Sequence, residues 1–369
     1  MRNYPIFRPA FGNRPDQIVG RESVLEMFQE GLRSFPGSRE RAMLLLGQRG
    51  MGKTALLLEM ADIALDSGFV AVRTTCGNSM LENIIDQLQV VGAPFVANKK
   101  APIRGFSAGA LGFSFGLTFT DEARVSYGFR TKLEMLCDRL EESGRGVVIL
   151  VDEIVPSLDA TKQLATAFQE LVGSGKNIAL VMAGLPAVVS EVLEEATLTF
   201  LNRATKVSLG PVSLGAIRAY LSTALERSKR IIDADVLDGA TAATEGFPYL
   251  LQLVGYYLVS YSADGERITE ETLSLAKRAS YEDLDENVFK AMLRPLSDAD
   301  VAFLLAMSVD AGVTKTGDLS SRLGVSQGHV QSYRRRLLDA GVIYAPRRGE
   351  VEFVIPRLAD YLRRMRRAE

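Results

Sequence analysis

Several kinds of residue are scarce in this chain of 369 residues, and each scarcity excludes a class of protein. Two cysteines, Cys76 and Cys137, exclude a disulfide framework and leave too few thiols for a cysteine-based zinc site. The single histidine, His329, excludes most histidine-based catalysis and metal binding. No apolar run approaches the roughly 20 residues of a membrane span, and the first 15 residues lack the apolar core of a signal peptide. The composition therefore indicates a reduced, cytoplasmic protein without a membrane partner.

Net charge of one sign is also nearly absent, because 43 basic and 45 acidic residues leave a formal charge of −2. As a whole-chain sum, this value argues against a polyanionic partner. The charge is uneven, however: residues 334–367 hold ten arginines and four acidic residues, a local net charge of +6. Such a block is either a solvated helix face with a frayed tail or part of a nucleic-acid surface.

The first half of the chain alternates short apolar runs with amphipathic patterns, which predicts a parallel sheet with helices on both faces. The predicted strands of this sheet are residues 42–47, 69–75, 147–151, 178–183 and 206–209. After Gly210-Pro211 the strands stop, and residues 214–227, 235–244, 249–261 and 270–293 have helical patterns. We therefore expect an α/β core over residues 1–210, an all-helical domain over 211–295 and a third domain over 296–369.

One segment of the α/β region fits neither pattern. Residues 105–119 read GFSAGALGFSFGLTF, and the later half alternates apolar with small residues. This alternation predicts an inserted β-hairpin. Its phenylalanines would form a contact patch for a partner, or the hairpin would simply pack on the core.

A glycine-rich loop between a predicted strand and a predicted helix is the strongest motif. Residues 44–57 read LLLGQRGMGKTALL and match G-x-x-x-x-G-K-[ST] at Gly47, Gly52, Lys53 and Thr54. In such a loop, backbone N–H groups and the positive end of the helix dipole hold phosphate oxygens, the lysine reaches the β/γ phosphates, and the hydroxyl binds Mg²⁺. The loop therefore predicts ATP or ADP binding with Mg²⁺, by residues Gly47, Gln48, Arg49, Gly50, Met51, Gly52, Lys53, Thr54 and Ala55.

Two acidic residues follow the most apolar predicted strand, VVILV. Asp152 is positioned to hold Mg²⁺, directly or through water, and Glu153 to polarise the attacking water. Two acids after a strand are otherwise a common solvated turn. Downstream of a phosphate loop, their position favours catalysis of ATP hydrolysis.

Together these motifs resemble those of the AAA+ ATPases. Residues 15–22 (PDQIVGRE) are similar to the segment that precedes the core in that superfamily and packs near the adenine. The resemblance implies a P-loop NTPase core with a helical lid, and it places Ile18, Val19, Gly20 and Arg21 beside the base. More narrowly, the chain is similar to prokaryotic ATPases with an origin-recognition-like core and a C-terminal winged helix, through residues 183–186 (AGLP), 246–252 (GFPYLLQ) and 346–356 (PRRGEVEFVIP).

Two departures from the AAA+ pattern affect the expected rate of hydrolysis. The fourth strand of that superfamily normally ends in a polar sensor, whereas here it ends Met182-Ala183-Gly184. The lid normally supplies a sensor arginine, whereas the corresponding stretch here is Gly246-Phe247-Pro248. This stretch is similar to the G-x-P motif of the signal-transducing STAND ATPases, in which the proline lies over the nucleotide, or it is a plain helix start with Pro248 in the first turn. Both departures predict slow hydrolysis and a switch-like cycle.

Arg203 precedes the last predicted core strand, in the sequence LNRATK. AAA+ proteins often carry there an arginine finger that acts on a neighbouring subunit, so the resemblance implies a homo-oligomer. The alternative is that Arg203 is a dipole partner at a helix end.

The C-terminal region has the layout of a winged helix. Helices are predicted at residues 298–309, 315–323 and 326–340, followed by strands 342–345 and 350–355 and a last helix from Arg357. Ser326 is the expected N-cap of the third helix, the recognition position, with Val330, Tyr333 and Leu337 in the core. The expected contacts with duplex DNA are the exposed polar side chains of that helix and the wing tip: Gln327, Gln331, Arg334, Arg335, Arg347 and Arg348.

Two functions are consistent with these patterns. In the first, the nucleotide state of an ATPase controls a winged helix that binds DNA. In the second, the chain is a STAND-like signalling switch whose winged helix makes protein or intramolecular contacts. The Gly246-Phe247-Pro248 stretch favours the second function, and the charge of +6 favours the first.

Overall fold

A computed structural model of the chain describes residues 6–9, 14–96, 113–115, 117–119, 127–155 and 159–368. The chain divides into two compact units. The α/β unit consists of Arg21–Gly47 and Lys53–Leu209, and the helical unit of Met1–Gly20, Gln48–Gly52 and Gly210–Glu369. The phosphate-loop sequence is thus shared between the units.

The α/β unit alternates helices and strands along the chain. Its helices are α1 (Glu22–Arg33), α2 (Lys53–Asp66), α3 (Met80–Val96), α4 (Phe129–Glu141), α5 (Asp159–Gly173) and α6 (Pro186–Glu194). Its strands are β1 (Ala42–Gly47), β2 (Phe69–Thr75), β3 (Phe113–Phe115), β4 (Thr118–Phe119), β5 (Gly146–Asp152), β6 (Ile178–Gly184) and β7 (Thr205–Leu209). Two 3₁₀ helices, Arg39–Arg41 and Ala196–Arg203, precede β1 and β7.

Within the described residues, five strands form one parallel sheet in the order β2-β5-β6-β1-β7. Successive residues of a strand point to opposite faces of a sheet. Every residue of β6 is buried, as are residues 146–151 of β5. Both faces of the central strands are therefore covered, and the predicted parallel sheet with helices on both faces is confirmed.

The described part of residues 105–119 contains an antiparallel pair, β3 with β4. Leu117 and Phe119 are buried and belong to the hydrophobic core of the α/β unit. A Cβ atom at Gly92 of α3 would lie 2.6 Å from Cδ1 of Leu117, so the glycine makes room for this packing. These two side chains pack on the core, while residues 105–112 lie outside the described part of the chain.

The first part of the helical unit corresponds to the predicted all-helical domain. It contains α7 (Leu214–Arg227), α8 (Ala234–Ala243), α9 (Pro248–Ser260), α10 (Glu270–Leu284) and α11 (Lys290–Leu293), with a short parallel pair of β8 (Ile231–Ile232) and β9 (Arg267–Ile268). The helix predicted over residues 270–293 is interrupted by a π-helical turn, Asp285–Phe289. Phe7 enters the core of this part, where its ring lies against Gly255 and meets Tyr220 edge-on at 5.9 Å.

The C-terminal module, residues 296–368, is described throughout. Its helices are α12 (Asp298–Met307), α13 (Thr316–Leu323), α14 (Gln327–Asp339) and α15 (Leu358–Ala368). Its strands β10 (Thr314–Lys315), β11 (Ile343–Tyr344) and β12 (Glu350–Phe353) form an antiparallel sheet in the order β10-β12-β11. This arrangement is consistent with a winged helix. None of the helices in the described part of the chain combines the length and apolar character needed to cross a bilayer.

Candidate functional site

The lysine of the phosphate loop is folded back over the end of β1. Lys53 opens α2, and its Nζ donates a hydrogen bond to the carbonyl oxygen of Gly47 at 2.7 Å. A Cβ atom at Gly47 would lie 3.1 Å from the Cβ of Leu209 on the neighbouring strand β7. Pairing of β1 with β7 therefore leaves little space for a side chain at position 47, and the ammonium group stays at the loop.

A hydroxyl and a carboxylate meet at the carboxyl end of β5. The Oγ1 of Thr54 donates to Oδ2 of Asp152 at 2.6 Å, although the two residues are 98 positions apart. The other carboxylate oxygen, Oδ1, accepts the backbone N–H of Glu153 at 2.9 Å. Hydroxyl and carboxylate oxygens are ligands that suit Mg²⁺. The parallel sheet thus brings together the two residues predicted as metal ligands.

Glu153 has a left-handed backbone, with φ at 53°. This conformation is uncommon for a residue with a side chain, and it persists only where neighbours enforce it. The neighbouring bonds run from the N–H of Cys76 to the carbonyl oxygen of Asp152, and from the N–H of Ile154 to that of Ala183, both at 3.0 Å. The side chain of Glu153 is exposed, directly after Asp152 in the chain.

The end of β6 has no space for a side chain. A Cβ atom at Gly184 would lie 2.7 Å from Cγ1 of Ile154, which is itself buried. Ala183, one residue earlier, is fully buried. Packing against Ile154 therefore accounts for the absence of a polar sensor at this strand end.

A cleft of about 480 Å³ lies beside Thr54 and Asp152. Its polar lining comes from the end of β2 and the first turns of α3, and includes Arg73, Thr75, Ser79, Asn83 and Gln87. The sequence analysis missed these residues. Strand order could have indicated them, because β2 pairs with β5 and Thr75 lies opposite Asp152, so the end of β2 borders the predicted metal site.

The middle of the phosphate loop contacts the Gly246-Phe247-Pro248 stretch within the helical unit. Gly50 and Gly52 have left-handed backbones, with φ at 78° and 84°. A Cβ atom at Gly50 would lie 2.2 Å from Cζ of Phe247, so the ring lies directly against the glycine. Phe247 is 1% exposed. Sequence reasoning had singled out Pro248 and missed Phe247, whose contact is visible only in the fold.

Within the helical unit, Val212 contacts two further parts of the predicted nucleotide site, Gly20 and Gly246. A Cβ atom at Gly20 would lie 2.7 Å from Cγ1 of Val212, and one at Gly246 would lie 2.8 Å from its carbonyl oxygen. The N–H of Val212 also donates to the carbonyl oxygen of Gly246 at 2.8 Å. Val19 packs on the same helical core, and Ile18 is half-buried. The helical unit thus brings the segment before Gly20 close to the Gly246 turn.

The remaining residues of the predicted site lie at helix ends. Pro248 occupies the first turn of α9, after Phe247 as its N-cap residue. Arg203 is exposed at the carboxyl end of the 3₁₀ helix Ala196–Arg203. Arg21 precedes α1 in the α/β unit, where burial lowers its pKa and the neighbouring Glu22 opposes that effect.

The C-terminal module presents most of the predicted DNA contacts on its surface. Gln327, Gln331 and Arg335 are exposed on α14, and Arg347 and Arg348 are exposed between β11 and β12. Ser326 caps α14 by accepting the N–H of His329. Val330 and Leu337 are buried as predicted.

Two arginines of α14 are less available to DNA than the sequence pattern indicates, and Arg334 differs from its predicted exposure. Arg334 is half-buried, and its Nε is buried without a hydrogen-bond partner among the described residues. The reason is helical spacing, because position 334 shares the inward face with Val330 and Leu337. Arg336 donates to the buried carboxylate of Asp300, with Nη2 at 2.6 Å from Oδ1. Its guanidinium group is therefore partly committed to the module itself.

Two family models match the chain. Residues 17–181 match the AAA ATPase domain, and residues 286–362 match a domain of unknown function, DUF8462. A comparison with curated proteins found no match.

Solved structures with similar folds cover nearly the whole chain. The Walker-type ATPase PABY2304 of Pyrococcus abyssi is 18% identical with a TM-score of 0.69, and the match covers 98% of this chain and 99% of the other. The ORC2 protein of Aeropyrum pernix, solved in ADPNP–ADP complexes, is 14% identical with a TM-score of 0.59 and covers 98% and 97%. Cdc6p from Pyrobaculum aerophilum is 17% identical with a TM-score of 0.50 and covers 98% and 97%. At these identities the likeness concerns the fold.

Proposed function

We propose that this chain is an AAA+ P-loop ATPase, which hydrolyses ATP slowly and uses the nucleotide state to control a DNA-binding winged helix. The match of residues 17–181 to the AAA ATPase domain and the likeness in fold to the Walker-type ATPase of Pyrococcus abyssi support this proposal. The observation that carries the ATPase part is the cluster of Lys53, Thr54, Asp152 and Glu153. In the proposal, residues 47–55 bind ATP or ADP, residues 18–21 lie near the base, and Pro248 lies over the nucleotide.

In the proposed cycle, each group of the cluster has one task. Lys53 neutralises the β and γ phosphates, since it already lies over the loop carbonyl of Gly47. Thr54 and Asp152 would hold Mg²⁺ through the oxygens that now share a hydrogen bond. Among the described residues, no group of three or more His, Cys, Asp or Glu side chains is placed to hold a metal ion, so most ligands would be waters and phosphate oxygens, as is usual for Mg²⁺. The metal would spread the negative charge of the phosphates, while Glu153 orients and deprotonates the attacking water.

Slow hydrolysis is proposed because the polar sensor that would help to orient the attacking water is missing at the end of β6, where the packing leaves no space for a side chain. A polar side chain at the end of β6 would have to occupy the space of Ile154. Without it, the attacking water is oriented by Glu153 without help from that strand. Precise orientation of reactants contributes strongly to catalysis, so we expect turnover well below tens per second in the purified protein. An arginine finger from Arg203 of a second copy would raise it.

The DNA part of the proposal is supported by exposure and charge in the C-terminal module. Arg347 and Arg348 project from the turn between β11 and β12, where a wing reaches the backbone or the minor groove. Gln327, Gln331 and Arg335 are exposed on one helix, where such side chains can reach base edges. Arg334 and Arg336 contribute less, because one is half-buried and the other is bound to Asp300.

A mobility shift on duplex DNA, with ADP or a non-hydrolysable ATP analogue, tests this proposal. We expect Arg347→Ala/Arg348→Ala to weaken binding and to reduce the slope of log affinity against log salt by about 0.9 for each lost phosphate contact. The matched control is Arg278→Ala/Arg294→Ala, which removes the same charge from exposed positions of the helical unit. Equal affinity and slope in all three proteins would show that the wing does not bind DNA.

One observation favours the STAND-like alternative, in which the module serves protein or intramolecular contacts. Arg357, at the start of α15, forms an ion pair with Glu245 beside the Gly246-Phe247-Pro248 stretch, with Nη1 and Oε1 3.2 Å apart. In that case the protein would bind no DNA in either nucleotide state, and nucleotide would change its association with itself or with another protein.

A further inference from the structure

Residues 244–247 form a tight turn that is fixed from within. The hydroxyl of Thr244, a fully buried residue, donates to the carbonyl oxygen of Thr241 at 2.7 Å. The N–H of Phe247 donates to the carbonyl oxygen of Thr244 at 2.8 Å. Glu245 and Gly246 both have left-handed backbones, with φ at 49° and 75°. The carbonyl oxygen of Gly246 also accepts the N–H of Val212, so we expect the turn to resist deformation.

One end of the turn lies on the phosphate loop. The ring of Phe247 fills the space that a side chain of Gly50 would occupy. A loop that wraps phosphate must orient the backbone N–H groups around Gly50, and the ring leaves no gap to absorb such a movement. Any change in the position of Gly50 toward the ring is therefore passed to Phe247.

The other end of the turn holds the C-terminal module. Glu245 forms its ion pair with Arg357, whose guanidinium carbon also lies 3.7 Å from the centre of the Tyr281 ring. Arg357 has φ at 68°, a conformation that a residue with a side chain keeps only when its surroundings enforce it. It immediately precedes α15, the last helix of the module.

We propose that the turn of residues 244–247 couples the nucleotide state of the phosphate loop to the C-terminal module, through the contact of Phe247 with Gly50 and the ion pair of Glu245 with Arg357. The coupling rests on the proposed nucleotide binding, but it is independent of whether the module binds DNA. Coupling free energies are reciprocal. If the bound nucleotide changes the stability of the ion pair between Glu245 and Arg357, then loss of the ion pair must change the affinity for the nucleotide by the same free energy.

Calorimetric titration of the full chain with Mg²⁺ and either ADP or a non-hydrolysable ATP analogue tests the coupling without DNA. We expect Glu245→Gln, Arg357→Gln and Phe247→Leu each to change the ratio of the two affinities at least about threefold, within the usual range of such couplings. The double variant Glu245→Gln/Arg357→Gln should change it no more than either single variant, because both remove one ion pair.

Arg364→Gln is the matched control. It breaks a different ion pair of the same helix, with Asp285, and should leave the ratio unchanged. Hydrogen exchange of residues 350–362 should differ between the two nucleotides in the wild type and be the same with both in Glu245→Gln. This variant suits the measurement because the substitution is conservative and the Glu245 side chain is partly exposed.

The outcomes separate the two proposals. A wild-type chain that binds neither nucleotide overturns both the proposed function and the coupling. Normal binding with the same affinity ratio in Glu245→Gln, Arg357→Gln and the control overturns the coupling alone. An additive double variant likewise overturns it, since the two residues would then act separately.

Discussion

Single residues with left-handed backbones lie beside two of the contacts on which the proposals depend. Glu153 has this conformation beside Asp152, and Gly50, Glu245 and Gly246 have it around Phe247. Backbone strain of this kind is held by packing and is frequent at functional sites. At Gly50 both the left-handed backbone and the adjacent ring of Phe247 require a residue without a Cβ atom, which only glycine provides.

We expect Gly50→Ala to destabilise the protein by about 1–3 kcal/mol, because the new Cβ adds left-handed strain and meets the ring of Phe247. The measurement is urea-induced unfolding. The control is Gly215→Ala in α7, where a Cβ would meet no described atom within 4 Å. Since alanine is the better helix former, the control should be neutral or stabilised by up to about 1 kcal/mol. Equal effects at the two positions would contradict this account of Gly50.

At the scale of elements, parallel strands explain why the predicted metal ligands Thr54 and Asp152 meet. Parallel strands end at the same edge of a sheet, and β1 and β5 are followed by Lys53 and by Glu153. The sequence pattern alone therefore predicted the cluster of Lys53, Thr54 and Asp152. The contact of Phe247 with Gly50 was beyond such reasoning, because it joins elements almost 200 positions apart through side-chain packing rather than through strand order.

We expect Glu153→Gln to bind ATP with near-normal affinity and to lower the hydrolysis rate about 10²- to 10⁴-fold, the usual contribution of a general base. Lys53→Ala should instead lose nucleotide binding, because the charge opposite the phosphates is removed. Titration with nucleotide and phosphate release measure the two effects. The control, Glu191→Gln, changes an exposed carboxylate of α6. Normal hydrolysis by Glu153→Gln would assign the base to another residue.

Short elements of the C-terminal module were the least predictable. The strand β10 has two residues, too few to show a period, and part of it was assigned to a helix. Arg336 is exposed, but Asp300 on α12 binds its guanidinium group, a contact that the sequence analysis did not predict. An ion pair between helices 36 positions apart leaves no pattern in a single sequence.

Acid should weaken the ion pair of Arg336 with Asp300 only at low pH. Burial raises the pKa of Asp300, but hydrogen bonds from Arg336 and Ser297 outweigh this effect and the net pKa is below its usual value. A carboxylate with a lowered pKa adds stability above its unfolded pKa of about 3.9, and this stability disappears as the pH falls through the folded pKa.

We therefore expect Asp300→Asn to unfold more easily at pH 7, by about 1–3 kcal/mol for an interrupted buried bond, and to lose less stability than the wild type between pH 5 and pH 2. Urea unfolding across this pH range provides the measurement. The control is Asp339→Asn, an exposed residue of α14. Parallel pH profiles for the wild type and Asp300→Asn would contradict the role of this carboxylate.

For the whole molecule, a net charge near zero conceals two regions of opposite sign. Residues 334–367 carry +6, so the remaining residues sum to −8. The structure lowers the number of free positive groups in the basic region, since Arg336, Arg357 and Arg364 are bound to Asp300, Glu245 and Asp285. Charge counted from sequence thus overstates the surface available to a polyanion, while Arg335, Arg347, Arg348, Arg366 and Arg367 are among its exposed residues.

The division of the phosphate-loop sequence between two compact units could not be predicted. Sequence patterns assign a residue to its neighbours in the chain, and Gln48–Gly52 lies between a strand and a helix of the α/β unit. The assignment of these residues to the helical unit depends on contacts such as that of Phe247, which no local pattern encodes.

The packing of Ile154 against Gly184 has an evolutionary consequence. Because the two positions share one volume, a polar residue at 184 is harmful while isoleucine occupies 154, and a smaller residue at 154 leaves a cavity while glycine occupies 184. Each single substitution passes through a destabilised intermediate, so the two sites are epistatic. A polar side chain at this strand end would therefore require both residues to change together, which makes such a change rare.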